Sequence, residues 1–116
     1  MDVAEKVKLR YAGYLGRLDT KIRQQEDCLD GGSALWRVRG QRQLAIYREA
    51  RDWVALLEEE CLRLLADPAA ALRSYQIPEF DRSVPELTQA AGLMKTALSV
   101  EASQRERWVT YKLEVA

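Results

Sequence analysis

The stretch Asp30-Gly31-Gly32-Ser33 decides the fold of this chain. Paired glycines stop a helix by supplying the left-handed backbone of a C-cap, and Ser33 is a good N-cap for a second helix. So short a connection sends that second helix back antiparallel to the first. Upstream, residues 2–29 repeat apolar side chains at helical spacing: Val3, Val7, Tyr11, Tyr14, Leu15, Leu18, Ile22 and Leu29. Downstream, Leu44, Tyr47, Ala50, Val54, Leu57, Cys61, Leu64 and Leu65 mark a second helix over about 33–66, with Trp53 beside the stripe. One apolar stripe with charge on the other faces is the pattern of a helix packed on one side. The expected fold is all-α: a long antiparallel helical hairpin, with a short helix and a third, C-terminal helix laid against it.

Two details of the hairpin have consequences. Gly13 and Gly16 each cost about 1 kcal/mol in a helix relative to alanine, so either another helix approaches closely there or they are simply tolerated in a helix held by packing. Residues 33–42 admit two readings. They continue the stripe through Trp36 and Gly40 as the first turns of helix 2, or Trp36 and Val38 alternate with Arg37 and Arg39 as a short extended piece.

Beyond Ala66, Asp67-Pro68 opens a short helix over 68–74. An extended connector is expected over 75–82, with Ile77 held out of the helical region by Pro78. Its Tyr75, Ile77 and Phe80 are expected to lie across the hairpin. Ser83-Val84-Pro85-Glu86 has the form of a capping box, Ser83 capping a helix and Glu86 reaching back to its amide. The third helix is expected over 84–110 on the stripe Leu87, Ala91, Met94 and Leu98. The tail Trp108–Val115 also alternates with period two and is rich in strand formers, so it reads either as the end of that helix or as a strand pairing with another copy.

At 116 residues the chain is the size of one domain, and 47% apolar content is too high for a disordered one. The 18 basic and 18 acidic residues cancel, so no net charge drives it onto nucleic acid or an anionic membrane. Residues 1–56 carry 11 Lys/Arg against 8 Asp/Glu, and the rest carry 7 against 10, a mild polarity that either arises by chance or favours head-to-tail self-association. No apolar run approaches the roughly 20 residues of a membrane span, and the N-terminus lacks the apolar core of a signal peptide.

Enzyme chemistry fails on inventory. The absence of histidine removes the commonest general base near neutral pH and the commonest metal ligand. There is no Walker loop, GxGxxG or GxSxG. Glu58-Glu59-Glu60 reads as a solvated face, because consecutive helical residues point about 100° apart and cannot converge on one ion. Glu59 and Arg63 stand in the favourable i,i+4 order. Cys28 lies beside the turn and Cys61 near the far end, roughly 40 Å apart at 1.5 Å per residue, too far for a disulfide. Two structural thiols that stay reduced imply the cytoplasm. No metal, cofactor or catalytic residue is expected.

The remaining signals point to binding. Arg37, Arg39, Arg42, Arg48 and Arg51 interleave with Trp36 and Trp53. Such a face is solvated surface over core tryptophans, a protein interface, or a track for a phosphate backbone. Trp36, Arg37, Arg39, Arg42, Tyr47 and Arg51 are the candidate interaction residues. Residues 84–98 resemble a helix-turn-helix, with Leu87 in the first helix, Gly92 at the turn and Leu98 in the second. The pattern departs from the motif at Thr88 and Glu101, and a continuous helix containing one glycine reads the same residues better.

Lys8–Glu60, with Gly32, Trp36, Val38 and Gly40 leading into Leu44–Leu57, resembles the small helical head–tail joining proteins of tailed phages. Leu98–Trp108 resembles segments of phage terminase small subunits. The resemblance implies a non-enzymatic virion assembly or packaging component, working as an oligomer in the host cytoplasm. The expected function is a non-catalytic helical interaction protein that self-associates or binds a protein partner. The alternatives are a nucleic-acid-binding regulator using the Arg37–Arg51 face or residues 84–98, and a small inhibitor of a host enzyme. The two long helices also outreach the third, so apolar surface is expected at one end of the hairpin.

Overall fold

A computed structural model describes residues 1–29, 34–67 and 84–115, and of Trp36 only the backbone. It contains α1 (Val3–Cys28), α2 (Ala34–Ala66), α3 (Pro85–Leu98), a 3₁₀ turn (Ala102–Gln104) and α4 (Arg105–Val115). The glycine turn, Ser83, the short helix expected over 68–74 and the connector over 75–82 lie outside the described residues.

α1 starts where Asp2, in extended conformation, accepts a hydrogen bond from the Glu5 amide at 2.9 Å. It pairs antiparallel with α2. Arg48 reaches Glu26 at 3.5 Å and Arg51 reaches Asp19 at 2.5 Å, so the helices run past each other in opposite directions. α2 is helical from Ala34, which settles residues 34–42 as helix rather than an extended piece. Its 33 residues set the 55 Å long axis of the molecule, at about 1.5 Å per residue.

Val7, Tyr11, Tyr14 and Leu18 of α1 close on Ala50, Val54, Leu57, Cys61 and Leu64 of α2. α3 lies over this seam, contributing Leu87, Ala90, Leu93, Met94 and Ala97. The buried Tyr11 hydroxyl donates to the Ala90 carbonyl at 2.9 Å, and the Tyr14 ring meets Tyr11 edge-on at 5.6 Å. The α3 stripe is thus turned from the expected one: Leu87 and Met94 are buried, while Ala91 and Leu98 stand at its margin.

The third helix does not run to residue 110. α3 closes at Leu98, Glu101 is extended, and α4 turns back so that Val109 and Leu113 join the core. A continuous helix would have carried those two side chains away from the hairpin. The reversal is held by Arg105, only 6% exposed, which donates from Nε to the Ala97 carbonyl at 2.8 Å and from Nη1 to Leu64 at 3.0 Å. These acceptors sit in the last turns of α3 and α2, where carbonyls lack helical partners and the helix dipole is negative. Residues 99–101 contain neither glycine nor proline, so nothing local announces the break.

The surroundings of Gly13 and Gly16 decide between their two readings, in favour of residues tolerated in a packed helix. Gly13 and Gly16 are exposed, and no other helix approaches them. Close approach occurs instead at Gly40, where a Cβ would stand 2.7 Å from Leu29 Cδ2 and 2.9 Å from Gln25 Nε2. Gly16→Ala and Gly92→Ala, with open space around each, should therefore raise stability by about 0.5–1 kcal/mol. Gly40→Ala should gain less or lose, because Leu29 must move. Urea denaturation of the three variants checks the order.

Candidate interaction surface

The six candidate residues do not form one face. At about 100° per residue, Arg37 falls on the side of α2 that carries Leu44, Arg48 and Arg51 towards α1. Arg39 and Arg42 fall on the opposite side, with Leu35 and Val38. Arg37, Arg39 and Arg42 are all exposed, and neither Arg37 nor Arg42 forms an ion pair among the described residues.

The arginines nearer the middle of α2 are engaged with α1. The Asp19 carboxylate accepts from Arg51 Nε and holds that guanidinium above its ordinary pKa. Tyr47 packs half-buried against the core, with Lys21 Nζ 5.8 Å from its ring centroid. Arg51 and Tyr47 therefore serve the α1–α2 contact. The Trp36 side chain lies outside the described residues.

Among the described residues two carboxylates are buried: Glu60, which the sequence reads as part of a solvated face, and Glu86, which it reads as a helix cap. Glu60 accepts from Arg63 Nη2 at 2.6 Å, an i,i+3 pair in place of the expected Glu59–Arg63 pair. Glu86 is 3% exposed and takes Lys21 Nζ at 2.8 Å, with Arg17 at 3.8 Å, so its charge ties α3 to α1. Glu58 is only partly covered, and burial followed by its neighbour Glu59 raises its pKa above the usual range. Among the described residues no group of three His, Cys, Asp or Glu side chains could hold a metal ion. No described helix is long and apolar enough to cross a membrane.

The cysteines differ. Cys61 is buried beside Tyr11, and burial pushes its thiol up to about 12. Cys28 is exposed, so the expectation of two structural thiols fails for it. Gly92 lies inside the unbroken helix α3, so residues 85–98 lack the turn a helix-turn-helix requires.

No family model, curated protein or solved structure matches the chain. Its surface is then the guide to its role.

Among the described residues, large apolar side chains stand exposed in three places. Leu35 and Val38 project near the turn end of α2, beside Arg39 and Arg42. Trp108, Tyr111 and Val115 form a row along the outer side of α4. Met1 and Leu9 at the α1 start form a separate exposed pair, beside a groove lined by Leu113 and Glu114 on the side of α4 turned towards α1. The sequence signal for the second group is the apolar tail itself. The strand reading of that tail fails, since 105–115 is helical, but its strand-like alternation has the same source: apolar side chains on both sides of the element.

Proposed function

We propose that this chain is a non-catalytic helical protein that works by binding protein surfaces. Its role would be an assembly or packaging component of the kind implied by its resemblance to the head–tail joining proteins of tailed phages. The observation that supports this reading is the grouping of exposed apolar side chains at Leu35/Val38 and at Trp108/Tyr111/Val115. Apolar residues scattered singly over a surface need no explanation, whereas clusters mark contact sites. Arg39 and Arg42 flank the first cluster and aromatic rings form the second, the residue types that anchor interfaces. The two free cysteines fit a reducing cytoplasm, that of the host for a phage protein.

Protein rather than nucleic acid is favoured because Arg48 and Arg51 already pair with Glu26 and Asp19. Those pairs remove two of the cations a phosphate track would need. An inhibitor of a host enzyme would use the same surfaces, and identification of the bound protein separates it from an assembly role.

The test combines sedimentation of the purified chain with affinity capture. Wild type should self-associate or retain a defined protein. Val38→Glu or Tyr111→Glu should weaken that binding at least tenfold without changing the melting temperature. A chain that stays monomeric at every concentration and retains no protein overturns the reading.

A further inference from the structure

The row on α4 has a feature that bears on its occupant. Trp108, Tyr111 and Val115 lie at i, i+3 and i+7, within a sector of about 60° on a helix, and remain 44%, 57% and 63% exposed. The opposite side of α4 is already spent, with Val109 and Leu113 in the core and Arg105 on the helix ends. α4 is therefore apolar on two sides, and only one is covered.

The exposed row is bordered on one flank by Arg107 and Glu114, both exposed and neither in an ion pair among the described residues. Seven residues separate them, about 10 Å along the helix, too far to satisfy each other. A two-fold axis perpendicular to α4 turns this flank onto itself with the direction reversed. Each Arg107 then faces a Glu114 of the other copy, twice over, and the row covers its own image. Lys112, on the other flank, comes beside its symmetry mate, a cost outnumbered by the two cross-pairs.

We infer that α4 is the contact between two copies of this chain, packed antiparallel about a two-fold axis. Trp108, Tyr111 and Val115 form its centre, with reciprocal Arg107–Glu114 pairs at its edge. A C2 contact needs a self-complementary patch, and the opposite charges on one flank make this patch so. A fully buried aromatic side chain covers about 150–250 Å², and about half of that is still exposed at Trp108 and Tyr111. Only the exposed part of the row remains to be covered, so the paired surface falls below the roughly 1,200 Å² of a standard interface, the size of a weak, transient contact. A weak dimer with a micromolar Kd is expected. This inference rests on the reading of the chain as an interaction protein and names its partner as a second copy.

Sedimentation equilibrium of the full chain over a wide concentration series tests it, with circular dichroism to confirm that each variant stays folded. Wild type should fit a monomer–dimer equilibrium. Tyr111→Glu should weaken the dimer at least tenfold. Arg107→Glu and Glu114→Arg should each weaken it about three- to tenfold, and the double variant R107E/E114R should return to within about twofold of wild type. All four variants replace exposed side chains, so folding should survive.

Failure of the double variant to recover overturns the antiparallel pairing. A dimer insensitive to all α4 variants but broken by Val38→Glu overturns the inference while leaving the protein-binding reading in place. A strict monomer that still retains another protein does the same.

Discussion

Replacing Arg105 by methionine is expected to cost about 2–4 kcal/mol, which for a chain of this size lowers the melting temperature by about 10–15 °C. Methionine keeps much of the volume but leaves the Ala97 and Leu64 carbonyls without their donors. Each is a buried acceptor at a helix end, and an unsatisfied buried polar group costs about 1–3 kcal/mol. Arg105 has no carboxylate partner among the described residues, so the negative ends of α2 and α3 are what accommodate its charge. Arg105→Lys keeps the charge but loses the planar fork that bonds two carbonyls at once, and should fall between wild type and methionine. Thermal and urea denaturation read both. A loss below about 1 kcal/mol for methionine would mean that the α3–α4 reversal does not depend on this side chain.

The second large effect is alkaline. Burial raises the Tyr11 hydroxyl from its ordinary 10.0, with Cys61, Tyr14 and Glu58 adding smaller contributions. Burial likewise lifts the Cys61 thiol from 9.0 to about 12, against a smaller opposing pull from Arg105. The folded protein keeps both protons where the unfolded chain loses them. The stabilisation is complete below about pH 9 and declines as pH rises beyond it. Cys61 contributes a slope of about 1.4 kcal/mol per pH unit above 9, and Tyr11 adds the same above 10, so about 4 kcal/mol is lost by pH 11. That is a large part of the stability of an ordinary domain. Urea midpoints from pH 7 to 11 should therefore be flat and then fall steeply. Cys61→Ala, less stable throughout because of the cavity it leaves, should show a flatter profile between pH 9 and 10. A constant wild-type midpoint up to pH 11 would contradict the burial of both groups.

The hairpin is legible because its determinants are local and periodic. The stripe Val7, Tyr11, Tyr14 and Leu18 and the stripe Ala50, Val54, Leu57, Cys61 and Leu64 both sit in the core as their spacing requires. The interaction residues are less legible. Arg37, Arg39, Arg42 and Arg51 are close in sequence, yet a helix turns them to different sides and Asp19 takes one of them. Glu86 has the look of a capping group because its neighbours in sequence suggest one. Its actual partner, Lys21, lies 65 residues away.

By itself, then, the sequence determined the helical class, the antiparallel pairing of α1 with α2 and the lack of histidine chemistry, because each depends on residue type and short-range spacing. The tertiary structure decided where α3 ends, what Arg105 and Glu86 do, where the helices approach most closely, and which side of α4 stays open. Most of those outcomes depend on groups distant in sequence meeting in space, as Arg105 meets Leu64 across 41 residues and Lys21 meets Glu86 across 65. Desolvation and the need to satisfy helix-end carbonyls govern such meetings, and neither has a period that can be read along the chain.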